Sequence, residues 1–251
     1  MAEALIKGMV GGGMKDIVVS EPVAERREYL ERTFGIKAIN DNRALLGQAH
    51  IIVLAVKPQH MAEVLEGIAP AVKPDHMFAS IAAGITIDFI RERLKTSRII
   101  RVMPNVASMA QEGMAVLSLC ECFPELEVAK VRDIFMASGR VLTMPEKKIN
   151  AVTALSGSGP AFIAYAIGAM VDGAVKEGLT EDEARDLAIQ TLRGTAALLD
   201  GGLSCEKLIK MVKSPGGTTE AGLGVLDARG AHDIFVETIA AARLRAAELA
   251  K

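Results

Sequence analysis

Ile51-Ile52-Val53-Leu54-Ala55-Val56-Lys57-Pro58 decides the fold of this chain. Six apolar residues run on without a polar alternate, the pattern of a strand covered on both faces. Strands of that kind belong to parallel sheets, whose connections are helices. The flanking sequence agrees. Before it come a strand at Ile17 to Ser20, a charged helix near Val23 to Phe34, a short strand at Ile36 to Ile39 and a helix from Asn42. After it come a helix around Met61 to Ile68, a strand at Met77 to Ile81, a helix capped by Thr86 and a strand at Ile99 to Met103. Strand and helix in alternation indicate a doubly wound parallel α/β sheet. From Pro145 onward the pattern changes, and apolar residues recur at helical spacing. Thr180-Glu181-Asp182-Glu183 opens one helix with a capping box, and others run from Lys207, from Thr219 and from His232. The boundary is placed near Lys148: residues 1–148 form the α/β domain and 149–251 an all-helical one.

With 251 residues, half of them hydrophobic, the chain can bury a sizeable core. Lys+Arg 29 against Asp+Glu 31, with no long basic run, leaves no electrostatic footprint for nucleic acid or an anionic membrane. A small-molecule partner fits this surface better. The apolar stretch from Ala161 to Val171 is about half of the roughly 20 residues that span a bilayer, and it reads as a buried helix. It is better covered by a second copy of the chain than left exposed, so a homodimer or larger assembly is expected. The start carries no apolar signal-peptide region, so the expected location is the cytoplasm. Cys120, Cys122 and Cys205 lack metal-site spacing, and the four histidines fall in no pattern with carboxylates, so no metal is expected.

Two glycine-and-hydroxyl clusters stand in the second half: Ser156-Gly157-Ser158-Gly159-Pro160 and Ser214-Pro215-Gly216-Gly217-Thr218-Thr219. Each precedes a helical pattern, so each is expected to present free N–H groups at a helix start, where a small anion is favoured. In the first half, ligands of a doubly wound sheet bind beyond the carboxyl ends of its strands. Glu21 stands there after the first strand candidate, as an acceptor for a ribose hydroxyl or as a solvated acid starting a helix. Ala55-Val56-Lys57-Pro58 follows the most apolar strand, where Lys57 either reaches a phosphate or is a solvated charge. Ala82-Ala83-Gly84 and Asn105 end the next two. A dinucleotide domain ordinarily begins with a strand and a glycine fingerprint, and neither precedes Met1-Ala2-Glu3-Ala4-Leu5. Gly11-Gly12-Gly13 follows a helical pattern and leads into a strand, the reverse of the order required, and reads as a helix stop.

These residues resemble pyrroline-5-carboxylate reductase over essentially the whole chain. The resemblance is carried by Ala55-Val56-Lys57-Pro58-Gln59, Arg101-Val102-Met103-Pro104-Asn105, Leu155 to Ala161, Asp172-Gly173 with Gly178-Leu179, and above all Ser214 to Thr219. It implies a Rossmann-like domain with its first strand missing from the chain, then a helical dimerisation domain interleaved with a second subunit. The implied activity is reduction of L-1-pyrroline-5-carboxylate to L-proline by NADPH or NADH. It also implies that Thr219 hydrogen-bonds the ring nitrogen, that Ser214, Gly216, Gly217 and Thr218 hold the substrate carboxylate, and that Ala55 to Pro58, Ala82 to Gly84 and Asn42 contact the nucleotide. Val106-Ala107 and Lys213 depart from the family's pattern. Glu21 favours a free ribose hydroxyl whereas Asn42 and Arg43 suit a phosphate, so the choice between the two cofactors stays open. Two rival readings stand beside it. A β-hydroxyacid dehydrogenase would pair a catalytic lysine with an asparagine one turn later, but Lys176 is followed at that spacing by Thr180. A cofactor-impaired helical scaffold is the other.

Overall fold

A computed structural model describes residues 1–119 and 123–250, so Cys120 and Cys122 lie outside the described residues. The chain divides into two compact units, Met1–Ser158 with Ala242–Lys251, and Gly159–Ala241.

In the first unit a five-stranded sheet runs in the order β3 (Ile51–Leu54), β4 (Met77–Ser80), β5 (Ile99–Pro104), β6 (Gly113–Leu119), β7 (Gly139–Thr143). β3, β4 and β5 are parallel, in register Ile51 to Met77 and Phe78 to Ile99. β4 shows why such strands read as unbroken apolar runs. Phe78 packs into a core with Leu65 of α4 (Met61–Ile68) and Ile90 of α5 (Ile87–Leu94) on one face. Met77 and Ala79 pack on the other face with Leu5 of α1 (Ala2–Gly11) and Phe135 of α6 (Glu125–Met136). The strands read from the sequence pair in parallel as expected, and the sheet continues past them with β6, which runs antiparallel to β5, and β7, which is parallel to β6. A short turn after β5, rather than a crossover helix, returns the chain, and only an antiparallel pairing permits that.

A separate parallel pair is formed by β1 (Val18–Ser20) and β2 (Lys37–Ile39), packed with α1 and α2 (Ala24–Phe34) through Ile6, Leu30 and Ile36. Gly11-Gly12-Gly13 closes α1 as the sequence predicts, with Gly12 as its C-cap. Among the described residues nothing pairs β1 to β3. The backbone shows which groups are left. Glu21 donates to Ile39, so Val18 and Ser20 turn their peptide groups away from β2. His50 and Leu54 accept from Met77 and Ile81 of the β4 segment, so Ile51 and Val53 face away from β4. Between these two free edges runs a trench of about 1220 Å³, floored by Leu5, Ile6 and Met9 of α1.

Arg101 is buried on β5 and its guanidinium meets Glu146 at 3.0 Å, while the same Glu146 oxygen accepts the Ile87 N–H that opens α5. Removing the carboxylate strands a buried charge. Glu146→Ala is expected to lower unfolding free energy by about 3 kcal/mol, read as a fall in the urea midpoint, with Glu146→Gln losing less. A midpoint unchanged by Glu146→Ala would show that the pair contributes nothing net.

Ser156 to Pro160 needs a correction. Thr153–Gly157 forms a π turn rather than a loop, and Ser158 is a bend between it and the α-helix that begins at Gly159. The Ser158 N–H reaches back five residues to the Thr153 carbonyl at 2.9 Å. That wider turn comes just before Pro160, which has no N–H for the regular ladder. The Ser158 N–H is therefore not free, and Ser156 receives the Asn105 side-chain amide at 3.3 Å.

The second unit is helical: α8 (Gly159–Lys176), α9 (Glu181–Asp200), α10 (Cys205–Val212), α11 (Thr218–Ala228) and the first part of α12 (Ala231–Glu248). The capping box at Thr180 forms as expected, its N–H donating to Glu183 at 2.9 Å. Within the single chain, however, the 161–171 helix is not buried. Only Ala184 and Ala188 are buried apolar side chains in this unit among the described residues, while Ile163, Tyr165 and Met170 are 50%, 81% and 56% exposed. The 31-residue helical run carrying α8 is also long and apolar enough, by length and composition, to cross a membrane.

Candidate functional site

Parallel strands bring their carboxyl ends to one edge, and the residues singled out in the first unit stand along it. Glu21 follows β1, Asn42 is the first residue of α3 (Asn42–Leu46), Ala55 follows β3, Ala82 follows β4 and Asn105 follows β5. Glu21, Asn42, Ala55 and Val56 line the same trench. Glu21 Oε1 accepts the Val23 N–H at 3.0 Å, the bond of a helix-start acid, and its peptide oxygen holds Arg27 at 2.8 Å. Asp41 caps α3 through the Arg43 and Ala44 N–H groups, and Arg43 Nε donates to the Gly67 carbonyl at 2.6 Å. Lys57 and Pro58 are exposed where the chain turns into a short 3₁₀ segment.

Ala82 belongs to the buried core, and its N–H donates to the Ser80 hydroxyl at 3.4 Å. Ala83 is exposed, and Gly84 holds a φ of +76°, the left-handed conformation that glycine adopts without strain. Both ends of the Asn105 carboxamide are engaged: Oδ1 takes the Met114 N–H at 3.1 Å and Nδ2 donates to Ser156. Its observed work is to tie β5, β6 and the π turn together.

The start of α1 also opens on this trench through Ala2 and Glu3. Its first intrahelical bond runs from the Leu5 N–H to the Met1 carbonyl, so the amides before Leu5 have no helical acceptor. Glu3 is turned aside to Arg26 and Tyr29, and these two donors hold its carboxyl below the usual range. A negative group near those amides is thus partly neutralised by Arg26.

The second cluster lies in the other unit. Ser214 to Gly217 form a turn closed by the Gly217 N–H on the Ser214 carbonyl at 3.0 Å, with Gly216 at φ +68°. Gly217 is the N-cap of α11 and provides no side-chain cap. The first helical bond is Ala221 N–H to the Gly217 carbonyl, so the N–H groups of Thr218, Thr219 and Glu220 lead out of the helix unbonded by it. An amide-lined mouth results, and Thr219 belongs to its first turn. One feature of this mouth escaped the sequence reading: Glu220 bends back so that Oε2 takes the Gly216 N–H at 2.8 Å, and Oε1 meets Lys213 Nζ at 3.2 Å. The Gly216 amide first, and Lys213 second, hold this carboxyl below its ordinary range. A glutamate three positions into a helix was the available signal.

Residues 146–249 match the family described as pyrroline-5-carboxylate reductase dimerisation, and residues 1–84 match NADP oxidoreductase, coenzyme F420-dependent. The pyrroline-5-carboxylate reductase of Synechocystis sp. is 36% identical, covering all of this chain and 95% of the relative. That of Methanosarcina acetivorans is 34% identical with the same coverage. Among solved structures, the Coxiella burnetii pyrroline-5-carboxylate reductase superposes with a TM-score of 0.94 at 31% identity, over 100% of this chain and 95% of that one. The Plasmodium falciparum enzyme with NADP bound gives a TM-score of 0.88 at 25% identity, over 99% and 94%. With full-length relatives above 30% identity and a dimerisation match in the helical half, the chain belongs to the pyrroline-5-carboxylate reductase family.

Proposed function

We propose that this chain reduces L-1-pyrroline-5-carboxylate to L-proline, with the substrate carboxylate seated at the Ser214–Thr219 mouth and Thr219 at the ring nitrogen. The observation that supports this seat is the set of N–H groups at the head of α11, in a segment that carries the family's glycine and threonine pattern. A carboxylate there gains charge-assisted hydrogen bonds and the favourable end of the helix dipole. The substrate is a cyclic imine with its own basic nitrogen, and protonating it makes the adjoining carbon electrophilic without a metal. A threonine hydroxyl is too weak an acid to drive that protonation. Thr219 orients the nitrogen and relays the proton, while the loop amides of Gly216 and Thr218 and the Ser214 hydroxyl fix the carboxylate, with Gly217 closing the turn on Ser214.

The carboxyl-edge residues of the first unit suit NADPH or NADH. Glu21 suits the adenosine ribose and Asn42 its phosphate, the α1 amides suit the pyrophosphate, and Ala55 to Pro58, Ala82 to Gly84 and Asn105 suit the path beyond. The nicotinamide, when bound, supplies the hydride.

The unit bearing α8 needs cover for its exposed apolar side chains, and a second copy of the chain provides it, as a homodimer or an assembly of dimers. That arrangement accounts for the apolar helix in a soluble cytoplasmic enzyme, without membrane or nucleic acid as partner. The test is to mix purified protein, pyrroline-5-carboxylate and reduced nicotinamide. One proline should form for each NAD(P)H oxidised, with saturation in both substrates. If no saturable cofactor binding occurs up to millimolar concentration, the protein is a helical scaffold instead.

A further inference from the structure

The mouth of α11 already holds a carboxylate, that of Glu220, on the Gly216 amide. We propose that Glu220 is an internal competitor for the substrate's carboxylate, and that Lys213 changes partner, releasing Glu220 and pairing the incoming anion. This rests on the seat described above for the substrate. Three observations carry it. Oε2 of Glu220 occupies the Gly216 N–H at 2.8 Å, so an amide of the proposed seat is taken. Two carboxylates cannot share it, because each is only an acceptor and their like charges repel. Oε1 is held by Lys213 at 3.2 Å, which places the loop's nearest cation on the internal acid rather than on the mouth. Both side chains are partly exposed, at 43% and 44%, so packing does not enclose either of them. Lys213, a departure from the family's pattern in this sequence, thereby gains a purpose together with Glu220: the pair sets how tightly this particular chain binds its substrate.

The consequence is a KM raised by the chain's own side chain, with little effect on the step after binding. Full-length protein should be titrated calorimetrically with L-proline, and with pyrrolidine, the same ring without its carboxylate. Glu220→Gln keeps the size of the side chain and weakens its hold on the amide. It is expected to bind L-proline about 5- to 20-fold tighter, a gain of the size expected from losing one charge-assisted hydrogen bond, while pyrrolidine binding stays unchanged. In turnover, KM should fall by a similar factor and kcat by less than twofold. Adding Lys213→Met to Glu220→Gln should give back most of that gain. If Glu220→Gln binds L-proline no better, or worse, Glu220 merely braces the loop and the proposal is overturned. If the second change costs nothing, Lys213 does not receive the anion and that half fails. Absence of L-proline binding in every form, wild type included, overturns the seat itself and the competition with it, an outcome distinct from equal binding in all forms.

Discussion

Thr219→Ala should turn over about 10²- to 10⁴-fold more slowly, the range for losing a positioned proton-transfer group. Thr219 is the second residue of α11, in the first turn, whose amides have no helical acceptor. Removing its hydroxyl leaves the helix and the carboxylate seat intact, so the loss should fall on kcat, with KM changed far less. Thr219→Ser keeps the oxygen and should retain most activity. A Thr219→Ala enzyme working within about threefold of wild type would remove this residue from the chemistry.

Charging the exposed face of α8 should take the assembly apart. Ile163 and Met170 are seven residues apart, hence on one face of the helix, and are 50% and 56% exposed in the single chain. Ile163→Glu with Met170→Glu puts two unpaired carboxylates of each copy into the proposed apolar interface. Burying even one such group without a partner costs several kcal/mol, so dimer affinity should weaken by at least about 10³-fold. Light scattering during gel filtration should then read the mass of one chain. Because the unit buries only Ala184 and Ala188 among its described apolar side chains, its thermal stability should fall as well and become concentration-dependent. A double variant that elutes at the wild-type mass would place the interface elsewhere or remove it.

How much of this was legible depended on what each residue faces. β3, β4 and β5 could be read because both faces are covered, so Ile51 to Leu54 or Met77 to Ala79 needed no polar alternate. β7 gave no such signal: it is a sheet edge, and Gly139-Arg140-Val141-Leu142-Thr143 leaves most of its side chains partly or fully exposed. The capping box at Thr180 was legible because both of its hydrogen bonds are local. Ser156 to Pro160 misled for the same reason that Thr180 did not. Glycine, serine and proline mark a helix start, and α8 does begin at Gly159, but a π turn precedes it in place of a loop, and that choice depends on Met103 and Asn105, far away in sequence. Met103 crowds Gly157 so closely that a Cβ there would stand 2.7 Å from its methyl carbon. Glu21 follows β1 and precedes α2, and of the two readings the sequence leaves open its bond to the Val23 N–H belongs to the helix-start one. The Glu220 clasp was hidden because its Gly216 partner turns toward it only through a left-handed φ.

The most direct measurement is a crystal structure of the protein grown with saturating L-proline. The account predicts a ring whose carboxylate lies on the N–H groups at the head of α11 and whose nitrogen is within hydrogen-bond reach of Thr219 Oγ1. Density for the ring at any site remote from Ser214 to Thr219 would contradict it.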